Sequence, residues 1–149
     1  MKAKVYVETT VVSYLSARRT RDLIAVAHQS LTRRWWKRRK RFDLYCSQSV
    51  VREAGAGDAT AAQQRLAALR GVPLLDINDS VKELAAAIAQ AAALPKRANE
   101  DALHIALSTV HGMDYLLTWN SRTRRFATSW PQLPTTTATV YRSSARQRN

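Results

Sequence analysis

Four short apolar runs, Val5–Val7, Phe42–Cys46, Val72–Ile77 and Met113–Trp119, constrain this chain more than any other feature, because stretches of helical length separate each from the next. Their β-branched and aromatic content suits strands rather than helix turns. Strands spaced this way cannot pair as hairpins. Right-handed crossovers and a mainly parallel sheet covered on both faces follow. The intervening stretches carry their own start and stop signals. Thr9 or Thr10 caps a short helix with Val11, Val12 and Leu15, and Thr20 or Asp22 caps a longer one from about Leu23 to Lys40. Ser47 or Ser49 opens a helix carrying Val50, Val51 and Glu53, which Gly55-Ala56-Gly57 ends; Asp58 caps the next, which runs to Gly71. Ser80-Val81-Lys82-Glu83 reads as a capping box, Pro95 as a stop, and Asn99 as the cap of a largely apolar helix that ends near His111-Gly112.

A chain of 149 residues, 46% hydrophobic, fits one domain with one core. No apolar run approaches the ~20 residues of a membrane span and the N-terminus lacks a signal-peptide centre, so a cytoplasmic protein with no membrane partner is expected. The single Cys46 lies in an apolar run and reads as a small buried hydrophobe. The formal charge of +13 favours polyanionic partners, nucleic acid or an acidic protein segment. Seven of the nine residues from Arg33 to Arg41 are basic, around Trp35 and Trp36. A solvated helix end with one Trp packed inward is favoured there over a base-stacking platform.

The acids stand at element ends. Glu8 follows the first strand, Glu53 lies in the helix after the second, Asp101 is in the first turn of the helix before the fourth strand, and Asn120 follows that strand. Ligands of open α/β sheets bind beyond the carboxyl ends of the strands; Glu8 and Asn120 are neighbours on that edge if strands one and four pair, and the first turn of the helix at Asn99 brings Asp101 to the same pocket. Clustered carboxylates repel unless a cation neutralises them. An all-oxygen set suits Mg²⁺ or Mn²⁺, which can activate water and stabilise a leaving oxygen in phosphodiester hydrolysis. Each acid taken singly also fits a cap or a salt bridge. His28, His104 and His111 read as structural, and Asp114 as loop solvation.

Val-Tyr-Val-Glu-Thr-Thr-Val-Val-Ser-Tyr-Leu at the start, Ser-Val-Val-Arg-Glu in the middle, then Asp-Ala-Leu-His-Ile-Ala and Asp-Tyr-Leu-Leu-Thr-Trp-Asn together resemble the PIN domain over residues 1–120. The likeness is greatest to single-domain VapC-type toxins of toxin-antitoxin systems. It implies a three-layer α/β/α sandwich and a Mg²⁺- or Mn²⁺-dependent endoribonuclease. Glu8 then takes the place of the usual first Asp, Glu53 and Asp101 match the second and third acids, and these three hold the metal. Asn120 falls where a fourth Asp is common, and Thr118 takes the role of orienting a metal-bound water. An antitoxin partner and a homodimer are also implied. Glu8 is one methylene longer than Asp and Asn120 removes a charge, which should weaken metal binding. The nuclease reading requires positions 8, 53 and 101 to converge within coordination reach of one cation.

Residues 121–149 hold six Arg and no acid, with Phe126, Trp130, Leu133 and Val140-Tyr141 as the only candidate core. They read as a basic, poorly structured tail, produced by an altered reading frame, in place of the helix and edge strand that similar proteins add. An inert PIN-like module that binds RNA or antitoxin without cutting is the alternative function. A helix-turn-helix regulator is disfavoured because four strands interrupt the helices.

Overall fold

The computed structural model of the protein describes residues 1–93 and 95–129. Its strands are β1 (Lys4–Val7), β2 (Asp43–Ser47), β3 (Leu74–Leu75) and β4 (Tyr115–Leu117). Its helices are α1 (Thr9–Ser16), α2 (Leu23–Trp36), α3 (Gln48–Ala54), α4 (Ala59–Ala68), α5 (Asp79–Ala91), α6 (Asn99–Val110) and α7 (Ser121–Ser129). The strands pair in the order β3-β2-β1-β4, every pair parallel. The expected α/β class and four-stranded sheet are therefore present, as a three-layer α/β/α sandwich. β1 is central, with Tyr6 opposite Tyr45 on one side and Leu116 on the other. The Glu8 amide donates to the Leu117 carbonyl at 3.1 Å, which carries the β1/β4 ladder one residue past the strand end.

Chain direction explains the layers. Steps from β1 to β2 to β3 run one way across the sheet, so right-handed crossovers put α1 to α4 on one face, where α1 packs on α2, α3 and α4. The return from β3 past β2 and β1 to β4 puts α5 and α6 on the other face, with α6 against α5 and α7. The two directions part between β1 and β4. The crevice of such a sheet therefore opens beyond Val7 and Leu117, at Glu8 and at Thr118 to Asn120.

Tyr6, Val7, Val11, Val12, Val50, Val81 and Leu107 are fully buried in the core between the layers. Burial of each Val or Leu contributes about 1.5–3 kcal/mol. Cys46 is buried among them, as expected, and burial pushes its thiol up to about 11.

Several boundaries differ from the sequence reading. Glu8 itself caps α1, accepting from the Thr10 amide, and Thr9 and Thr10 lie inside the helix. Asn78 rather than Ser80 caps α5, accepting from the Val81 amide at 3.0 Å. α6 has no side-chain cap; a 3₁₀ turn at Lys96–Ala98 leads into it, and Asn99 is its first residue. α2 stops at Trp36, short of Lys40, and the basic run continues as a 3₁₀ turn, Arg39–Arg41. Like charges at helical spacing, Arg33 with Lys37 and Arg34 with Arg38, oppose further helix. Trp35 stacks on Phe42 and the Arg39 guanidinium lies 5.1 Å from the Trp36 ring centre, so the rings are engaged within the protein. β3 keeps two residues of the expected six, since Pro73 has no N–H and Asn78 is drawn into the cap. Gly112 turns α6 toward β4 at φ +64°, a backbone state that glycine adopts without strain.

The first nine residues of the expected tail are helical. Residues 121–129 form α7, which packs on α6. The candidate core residues Trp130, Leu133, Val140 and Tyr141, the side chain of Phe126, and the remainder of the proposed tail lie outside the described residues.

Candidate metal centre

Glu8 reaches the crevice because the β1/β4 ladder fixes its backbone and α1 starts immediately after it. Its Oε2 accepts from the Thr10 amide at 3.1 Å, from the Thr10 hydroxyl, and from the Thr118 hydroxyl at 2.8 Å. Thr10 and Thr118 are themselves tied: the Thr10 oxygen accepts from the Trp119 amide at 2.9 Å and the Thr118 oxygen from the Asn120 amide at 2.9 Å. Glu8 is 4% exposed, and no donor among the described residues bonds its Oε1. The carboxylate is thus held by one oxygen with the other left over. Thr118 donates its hydroxyl proton to Glu8 and so fixes the carboxylate.

Glu53 comes from the last turn of α3, a helix that Ser47 caps by accepting from the Val50 amide. Glu53 Oε1 meets His104 Nε2 at 3.1 Å, and the Ser49 hydroxyl lies 3.3 Å from Glu53 Oε1 and 2.5 Å from Glu100 Oε2. His104 stands on the buried face of α6, with Nδ1 at 2.7 Å from the Tyr6 hydroxyl, which in turn lies 2.8 Å from the Ser47 hydroxyl. Burial would lower the basicity of His104, but the hydrogen bond it donates to Glu53 and the charges of Glu8, Glu53 and Glu100 outweigh it and raise its pKa. Burial would likewise raise the Glu53 pKa, and the His104 bond and charge, with the Thr9 and Ser49 hydroxyls, bring it below its ordinary value. The two lie at ion-pair distance, and each favours the charged form of the other. Burial keeps the Tyr6 phenol well above its usual range despite the Ser47 hydrogen bond, so it stays protonated.

Glu8, Glu53 and His104 each present a ligand atom within 4.8 Å of the others. Asp101 lies outside this group of three. Asp101 is 5% exposed; its Oδ1 accepts from Asn120 Nδ2 at 2.8 Å and from the Thr123 hydroxyl at 2.9 Å, and its Oδ2 from Arg122 Nε at 2.7 Å. Both oxygens are committed to docking α7. Asn120, expected beside the metal, caps α7 with its amide oxygen, which accepts from the Arg122 amide at 3.0 Å. Asp101 connects to Glu8 through Asn120 and Thr118. His104, read from the sequence as structural, has partners on both ring nitrogens and also completes the cluster. The signal for it was present: Asp101 and His104 are three residues apart on one helix face. Of the other residues set aside as structural, His28 stacks on Trp119 at 3.9 Å, His111 bonds the Asp76 carbonyl, and Asp114 accepts from the Lys4 amide.

The donors fit a divalent ion in two respects. Two carboxylates and an imidazole, with one oxygen of each carboxylate free of donors, form a mixed O/N set. In addition, the Thr9 hydroxyl faces Glu53 closely enough to favour its charge yet lies outside hydrogen-bond geometry, leaving a buried oxygen without a partner at the cluster. Ligation by His104 Nε2 requires loss of the proton shared with Glu53, with Tyr6 fixing the ring from Nδ1.

Comparison of the chain with protein-family models, curated proteins and solved structures finds no significant match. Among the described residues no helix is long and apolar enough to cross a membrane.

Proposed function

We propose that the protein is a divalent-metal-dependent endoribonuclease of the PIN type, the toxin of a toxin-antitoxin pair. One observation carries the reading: Glu8 and Glu53, from separate elements, meet with His104 within 4.8 Å at the carboxyl edge of a parallel sheet. The carboxylates suit Mg²⁺ or Mn²⁺, and the imidazole favours Mn²⁺ of the two. A divalent ion there supplies Lewis-acid activation of a water and of a phosphoryl oxygen. Thr10 and Thr118 hold the Glu8 carboxylate in place, and Tyr6 holds His104. The +13 charge suits RNA as substrate and an acidic antitoxin segment as partner, and the PIN resemblance adds a homodimer.

The use of both Asp101 oxygens on protein donors favours a second reading, a module that binds RNA or antitoxin without cutting. Incubation of purified protein with structured RNA and Mn²⁺ or Mg²⁺, beside Glu8→Gln, Glu53→Gln and an EDTA control, separates the two. Cleavage that disappears with EDTA and in both variants supports the nuclease. Cleavage indifferent to all three overturns it, and binding without cleavage selects the module.

A further inference from the structure

The carboxylate cluster poses a problem for any polyanionic substrate, since Glu8, Glu53, Glu100 and Asp101 lie on two hydrogen-bonded chains that meet at the cluster. From the cluster outward on one side, Glu53 connects through the Ser49 hydroxyl to Glu100, which pairs with Arg52 Nη2 at 3.0 Å. On the other side Glu8 connects through Thr118 and Asn120 to Asp101, which pairs with Arg122 Nε at 2.7 Å. Two adjacent acids in the first turn of α6 thus each anchor an arginine, one from α3 on the Glu53 chain and one from α7 on the Glu8 chain. Each guanidinium is held by a single nitrogen. Arg52 Nε and Nη1 and both Nη atoms of Arg122 have no hydrogen-bond partner among the described residues, and the side chains are 66% and 38% exposed.

The basic run at Arg33 to Arg41 cannot serve this site. Its 3₁₀ turn directly precedes β2, which places it at the amino edge of the sheet, while the acids stand at the carboxyl edge. Charge to offset the repulsion has to come from residues beside the cluster, and Arg52 and Arg122 supply it. A guanidinium fixed on one side by a carboxylate keeps its planar fork for a phosphate, with little side-chain freedom left to lose.

We infer that Arg52 and Arg122 are a pair of phosphate-binding residues that grip a single RNA strand on either side of the carboxylate cluster, so that the backbone between them crosses Glu8 and Glu53. The identity of the strand as RNA rests on the function proposed above; the two-point grip rests on the geometry.

The test is binding of a short labelled single-stranded RNA in EDTA, followed by fluorescence anisotropy over a series of salt concentrations. Arg52→Gln should weaken binding roughly threefold to tenfold and flatten the slope of log Kd against log salt by about 0.7, one phosphate contact on a single strand. Arg122→Gln should do the same. Should it melt α7, Arg122→Lys keeps the ion pair and the charge but loses the fork, so affinity falls with the slope unchanged. Glu53→Gln should tighten binding, because a strand across the cluster is relieved of a negative neighbour, whereas Arg38→Gln leaves that tightening intact. Affinity and slope equal to the parent in Arg52→Gln and Arg122→Lys, or no tightening in Glu53→Gln, would overturn the inference. A parent protein that binds in this arginine-dependent way but never cuts with Mn²⁺ leaves the grip standing and removes only the nuclease.

Discussion

Replacement of Asp101 distinguishes an anchor from a metal ligand, and the structure gives both the size and the place of the effect. Asp101→Ala strips acceptors from Asn120 Nδ2, the Thr123 hydroxyl and Arg122 Nε at once. A hydrogen bond to a charged group is worth about 1.5–3 kcal/mol. The Arg122 side chain is 38% exposed, so solvent screens that pairing and the two bonds to Oδ1 dominate. The loss should be about 3 kcal/mol, or roughly 10 °C in melting temperature for a domain of this size. Asp101→Asn keeps an acceptor at Oδ1 and should cost about 1 kcal/mol, roughly 3 °C. Melting would be followed by circular dichroism in EDTA, with hydrogen exchange reporting on residues 121–129. The exchange should accelerate in α7 first, because Asn120 and Thr123 belong to its first turn. An Asp101→Ala protein that melts within about 2 °C of the parent, with normal protection in α7 and no Mn²⁺ binding, would refute the reasoning and return Asp101 to the metal.

Three further outcomes are expected. Tyr6→Phe removes the partner of His104 Nδ1 in a fully buried position and should cost about 1–3 kcal/mol, read as a lower midpoint in urea; an unchanged midpoint would show that the Tyr6 hydroxyl is dispensable. The His104–Glu53 pair has a signed pH dependence. Because the His104 pKa is raised, its contribution is complete below the unfolded value of 6.5 and fades as pH climbs through the higher folded value; because the Glu53 pKa is lowered, its contribution is complete above 4.5 and fades as pH drops through the lower folded value. Metal-free protein should therefore show its largest advantage over His104→Ala between those two unfolded values, and a difference in melting temperature that does not vary with pH would contradict the pairing. Cys46 should resist a thiol reagent at pH 8 in the native state and react fully in guanidinium, since burial holds its thiol near 11; rapid native labelling would contradict the packing.

The order of elements was legible because periodicity and caps are local. β-branched runs gave all four strands, Asp22, Ser47 and Asp58 gave their helix starts, and the gap between strands gave parallel pairing. Boundaries failed where tertiary contacts intervened. Glu8 became a cap because Thr118 and Thr10 converge on it, and the basic end of α2 unwound under its own charge. At the site, sequence separated the acids by element but could not say which had spare donors nearby. Asp101 bonds Asn120, Thr123 and Arg122, two of them in a segment read as tail, and His104 joins the cluster with its ring held between Tyr6 and Glu53.

The placement of the 3₁₀ turn Arg39–Arg41 ahead of β2, with Glu8 past the far end of β1 and Glu53 beside it in the last turn of α3, makes the molecule electrically lopsided. The five residues of β2 span about 16 Å at ~3.3 Å each, more than the ~10 Å over which ions screen charge at 0.1 M salt. The two poles are therefore almost independent in ordinary buffer. On a cation exchanger the protein should sit with its arginine-rich rim against the resin and its acidic mouth facing the solvent, and dilution of the salt should couple the two ends into a single large dipole.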